Sequence, residues 1–177
     1  MNRRRFLITG GAGLAFAGIG TLTWTYIPGS ARPLTTDAAM QTLSVLAENV
    51  VGINGEWNLP QVLVHCAQSI EYSLSGYPEH RSDTFKQTAG ALAFTAFAAK
   101  GRMHHSLNEK IPGAPEIDVT TRLQPAIARL ASAFATFEQH TGELHEHFAY
   151  GKLTKADYEI AHVMHFYNHL DAAIFKA

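Results

Sequence analysis

The residues of this chain whose types and spacing best suit chemistry are His162, His165 and His169, near the C-terminus. They fall in the run Leu153–Leu170, which reads as one amphipathic helix with apolar residues recurring at helical spacing. At about 100° per residue, His165 and His169 lie one turn apart and aim side by side, and His162 sits a turn earlier. Imidazoles on successive turns offer a divalent cation a two-point grip. Histidines in an apolar stripe are costly unless their ring nitrogens are satisfied. Three on one stripe therefore need a ligand or a hydrogen-bond network. Tyr158, two turns before His165 on nearly the same face, could aim its hydroxyl at the same place; it is equally a core aromatic with a polar tip.

A third ligand must come from elsewhere, and His65 is the candidate. It faces inward near the start of a helix whose neighbours are apolar. A helical bundle can bring that start against the middle of the last helix, where His65, His165 and His169 would form a three-His centre with a position open to water or substrate. Alone, His65 reads as core filler. The neighbouring Cys66 points about 100° away and reads as a small buried hydrophobe. Adjacent His104 and His105 diverge on a helix and lack support on a loop, so they are expected in solvent. His145 and His147 alternate in a loop with no rigid element to hold a metal.

The elements that must position these groups are all helical. Asp37 to about Val51 forms a first helix, broken by Gly52-Ile53-Asn54-Gly55. Asn58 caps a second, with Pro60 in its first turn, running to about Leu74. Ser82 caps a third, Thr84 to about Lys100, with Leu92, Phe94, Ala96 and Phe97 as its core stripe. Thr121 to about His140 makes a fourth. Thr154 caps the last, with Asp157 three residues on completing a capping-box-like pair. Leu107 to Val119, with Ile111-Pro112-Gly113-Ala114-Pro115, is a long connection that cannot be helix or central strand. No strand is expected, so the fold class is all-α.

Arg3-Arg4-Arg5-Phe6-Leu7, followed by an apolar Gly/Ala-rich run to about Ile27, reads as a twin-arginine export signal over 1–31. The alternative is an uncleaved membrane tether. Either places the domain, 32–177, outside the cytoplasmic membrane, in the periplasm or tethered to its outer face. Of the 14 basic residues, three belong to this segment; the remaining 11 stand against 15 acidic ones. That modest acidity excludes a nucleic-acid footprint, and contact with a membrane is expected only through the N-terminal segment. One cysteine allows no internal disulfide.

Trp57-Asn58-Leu59-Pro60-Gln61-Val62-Leu63-Val64-His65, then Gln68-Ser69-Ile70-Glu71-Tyr72-Ser73 and Gly76-Tyr77-Pro78, resemble a branch of the DinB/YfiT-like superfamily carried as a domain of unknown function. So do Ile111–Pro115 and the run His147–Thr154 continuing through His169-Leu170. The resemblance covers nearly the whole domain. It implies an up-down-down-up four-helix bundle, here with an extra helix, and metal ligands at His65, His165 and His169. Some members are metal-dependent transferases of low-molecular-weight thiols such as bacillithiol or mycothiol. Asn168 and Ala172 stand where the superfamily's terminal motif often has His and Gln. His162 matches a position that is often His in this branch, as a partner of the ligands, a base or a substitute ligand.

The expectation is thus an exported metal-binding bundle, a transferase or hydrolase that activates water or a thiol, with His162 or Tyr158 handling protons. The ion would be divalent, zinc by ligand chemistry or else nickel, iron or manganese. A thiol-class small molecule would be its substrate and a homodimer its assembly. The competing expectation is a non-catalytic binding or structural module, with a structural metal or none.

Overall fold

The structure, a computed structural model, describes residues 32–175; the expected export signal over 1–31 lies outside the described residues. Helices dominate. In chain order they are α1 (Thr36–Asn49), the short strand β1 (Val50–Ile53), α2 (Leu59–Ser75), α3 (Asp83–Phe85), a π turn (Lys86–Gly90), α4 (Ala91–Lys100), α5 (Leu123–Gln139), α6 (Lys155–Leu170) and strand β2 (Ala173–Phe175).

Local chemistry explains the starts. Asn58 accepts from the Gln61 amide while the Gln61 side chain accepts from the Asn58 N–H, a reciprocal box that opens α2, with Pro60 in the first turn. Thr154 and Asp157 do the same for α6. α4 ends at Gly101, whose φ of 64° is the left-handed conformation that glycine adopts without strain.

Packing then assembles the long helices. α2 lies along α5, α1 packs on α5 and α6, and α6 packs on α2. Between them Leu43, Leu46, Leu63, Leu130, Phe134 and Phe166 are fully buried in one apolar cluster. α4 stands to one side and reaches α6 through Phe94, which joins Met103, Ala161 and Met164 in a smaller cluster.

Two expectations need correction. First, the chain is not wholly free of strands: β1 pairs antiparallel with β2, Ile53 opposite Ala173 and Gly52 opposite Ile174. The Asn54 amide extends the pairing by donating to the Ala172 carbonyl at 2.8 Å. These strands are too short and glycine-interrupted to show a period of two, yet their placement matters. β1 precedes α2 and β2 follows α6, so the ribbon ties together the two helices that carry His65 and His169. Second, Leu92 of α4 is 70% exposed and Ala96 is also exposed. Apolar residues surround nearly all of α4, so periodicity could not tell its buried face from its open one.

The π turn docks on the segment before α6. Lys86 Nζ, buried, meets the Glu146 carboxylate at 2.8 Å and Asp83 at 3.0 Å. A Cβ placed on Gly90 would stand 1.9 Å from the Ala149 carbonyl oxygen, a clash that only glycine avoids.

Two substitutions test this packing. Leu63→Ala removes a fully buried side chain at the α2–α5 seam, and we expect a loss of about 2–5 kcal/mol with helical content kept. Gly90→Ala forces the 147–151 segment away and is expected to cost about 1–3 kcal/mol. Urea unfolding followed by circular dichroism measures both; equal midpoints for wild type and Gly90→Ala would contradict the close approach.

Candidate metal centre

α2 and α6 bring His65, His165 and His169 to one point. His65 Nε2 lies 3.0 Å from His165 Nε2, and His169 Nε2 lies 3.2 Å from the same atom. All three ligand atoms fall within 4.8 Å of one another. The ring planes meet edge-on, at 80° for His65 and His165 and 64° for His165 and His169. His65 and His169 are buried and His165 is half-buried. The sequence-predicted trio is therefore gathered as a cluster that could hold a metal ion.

The fit can be tested on distances. Nitrogens bound at about 2.0–2.1 Å in a tetrahedron stand about 3.3–3.4 Å apart, close to the two separations found here. The protonation state suits it too. Burial holds His65 neutral down to about pH 3, helped by the nearby His105. Burial with the fields of His65 and His105 takes His169 down to about 2. His165 is pushed well below its ordinary value by burial and then by the four imidazoles of His65, His169, His105 and His162. Neutral imidazoles are what a metal binds. Nδ1 of His65 and of His169 are buried without a hydrogen-bond partner among the described residues, whereas metal-binding histidines usually donate that nitrogen to an acceptor.

Two residues beside the trio were not anticipated there. Trp57 sets its ring edge-on to His65 at 4.9 Å and stacked over His169 at 6.4 Å. His105, expected in solvent, is half-buried with its ring 5.0 Å from His165 and 5.1 Å from His169. Its neighbour His104 is exposed as expected. No periodicity marks either position, since both lie outside helices; the ring contacts exist only after the fold closes.

A cleft of about 210 Å³ opens beside the trio, lined by His65 and His165 together with His105, His147, Tyr150 and His162. At its mouth Arg81 meets Glu109 at 3.3 Å, both exposed, an ion pair of small net worth. His147 is not half of a metal clip. Its Nδ1 accepts from the amides of Ala149 and Tyr150 and so shapes the turn, while His145 is exposed.

His162 lies deeper. Ser73 Oγ spends its proton on the Ile70 carbonyl at 2.6 Å, so at 3.2 Å it accepts from His162 Nε2. That leaves the lone pair on His162 Nδ1. Tyr158 stacks on the His162 ring at 5.2 Å, and its hydroxyl donates to the His145 carbonyl at 2.6 Å. Burial pushes the Tyr158 phenol well above its ordinary range. Cys66 is buried and its thiol likewise raised by desolvation, which keeps it unreactive.

Burial makes stability pH-dependent. Folded His162 stays neutral to about pH 3, while in the unfolded chain it takes a proton near 6.5. The unfolded state carries more protons between these values, so stability falls as pH drops through that window. Each such histidine withdraws up to about 1.4 kcal/mol per pH unit. We expect the urea midpoint of chelator-treated protein to fall from neutral pH into mild acid, with His162→Gln flattening the slope. A slope unaltered by that variant would mean His162 titrates freely.

No curated protein and no solved structure matches the chain. A family model described as "Protein of unknown function (DUF1569)" matches residues 32–174, so this chain with its three clustered histidines belongs to the DUF1569 family.

Proposed function

We propose that the protein is an exported metalloenzyme of the DinB-like kind, its helices in the up-down-down-up order, which transfers or hydrolyses a small substrate at the His65–His165–His169 centre. The observation that carries this is the pair of 3.0 and 3.2 Å contacts among three neutral Nε2 atoms. A divalent cation, zinc by ligand chemistry, would supply Lewis acidity that lowers the pKa of a water or thiol toward neutrality.

The chain's own groups do the rest. His65 and His169 grip from two helices, and Trp57 excludes water from their far side. The cleft beside His165 admits a small molecule, with aromatic walls and a charged mouth suited to an amphipathic thiol. His162 lines that cleft with its Nδ1 unprotonated. With protonation pushed down to about 3, it accepts a hydrogen bond from the incoming S–H or O–H rather than keeping the proton. Tyr158 holds the His162 ring by stacking, its own hydroxyl already committed.

A non-catalytic reading, in which the ion only staples α2 to α6, draws support from the unpartnered Nδ1 atoms of His65 and His169, because catalytic ligands are normally oriented by acceptors there. Chelation separates the two. It abolishes turnover of thiol substrates in the first case and lowers only the melting temperature in the second.

The direct test counts metal in protein purified from metal-replete cells. We expect about one ion per wild-type chain and a small fraction of that in His165→Ala. Metal-free wild type ends the proposal.

A further inference from the structure

His105 sits on the segment after α4, outside the trio, and four observations mark it. Its Nδ1 lies 2.6 Å from the Ser106 carbonyl oxygen. A carbonyl only accepts, so Nδ1 carries the hydrogen and Nε2 keeps the lone pair. That Nε2 is buried and has no hydrogen-bond partner among the described residues. The ring stands about as far from His165 and His169 as those two stand from each other: 5.0 and 5.1 Å against 4.9 Å. Finally, the Asn168 amide of α6 lies 3.5 Å from the His105 carbonyl oxygen, a long contact between this segment and the helix that carries His165 and His169.

An imidazole whose Nδ1–H is donated to a backbone carbonyl, whose Nε2 is buried without a partner among the described residues, and whose ring centre lies about 5 Å from those of two neutral imidazoles has the posture of a metal ligand. Burying an unpaired lone pair there is costly unless something binds it. Building on the three-His reading above, we infer that His105 is a fourth ligand, delivered by the chain segment rather than by a helix. The resting centre is then closed by four imidazoles. Because no helix fixes His105, it is the ligand that an incoming substrate displaces, and its segment borders the cleft through which that substrate arrives.

The test is metal-edge X-ray absorption on zinc-loaded protein, with zinc affinity read by competition against a chelating dye. We expect four imidazole ligands in wild type and three in His105→Ala, with zinc affinity weakened at least about tenfold. His104→Ala, in the exposed neighbour, should match wild type, and His105→Gln should keep the volume while losing the fourth imidazole. The wild-type count holds whether or not any variant folds. Three imidazoles in zinc-loaded wild type overturn the assignment of His105 and leave the three-His centre standing. A wild type that binds no zinc overturns both.

Discussion

Three imidazole nitrogens brought this close inside a protein need a proton or a cation between them, because their lone pairs cannot all be aimed at one another. Each of the two short contacts in this structure, His65 to His165 and His169 to His165, has room for one proton at most. Charging any ring is opposed by burial and by its neighbours. Moving protons outward does not help, since Nδ1 of His65 and of His169 meets no acceptor among the described residues. A core that buried these rings only for packing would do better with leucines, which carry no polar atom to satisfy. A cation held by the three Nε2 atoms would answer the first two conflicts, while the Nδ1–H groups of His65 and His169 would still lack acceptors among the described residues.

The rest of the fold can be understood as holding two helices in the register this convergence needs. The β1–β2 ribbon joins the chain just before α2 to the chain just after α6. At the other end, the His145 amide donates to the Ser73 carbonyl at the close of α2, and Tyr158 of α6 donates to the His145 carbonyl. Residue 145 thus bridges the same two helices from below. α2 and α6 are stapled at both ends, with His65, His165 and His169 between the staples.

Much of this was legible in the sequence, because it rests on period and capping. The Thr154–Asp157 and Asn58–Gln61 boxes set the starts of α6 and α2, and those starts set which residues face inward. His165 and His169 then had to be neighbours, being one turn apart. What stayed hidden depends on contacts between segments distant in the chain. Nothing local separates His105 from His104, yet one ring is carried to the centre and the other is left exposed. The strands could not be read either: Val50–Ile53 contains a glycine and Ala173–Phe175 is three residues long, so each acquires its conformation only by pairing with the other.

Asn168 shows how the two kinds of information meet. The resemblance drawn from the sequence implies a histidine at this position, so by that comparison alone a standard set of groups around the three rings is in doubt. In the folded chain its amide instead reaches the backbone of His105. The segment so contacted brings an imidazole of its own, with its tautomer already set by the Ser106 carbonyl. On the four-imidazole reading proposed above, the unpartnered Nδ1 atoms of His65 and His169 and the His105 ring belong together: closure from in front would stand in for orientation from behind.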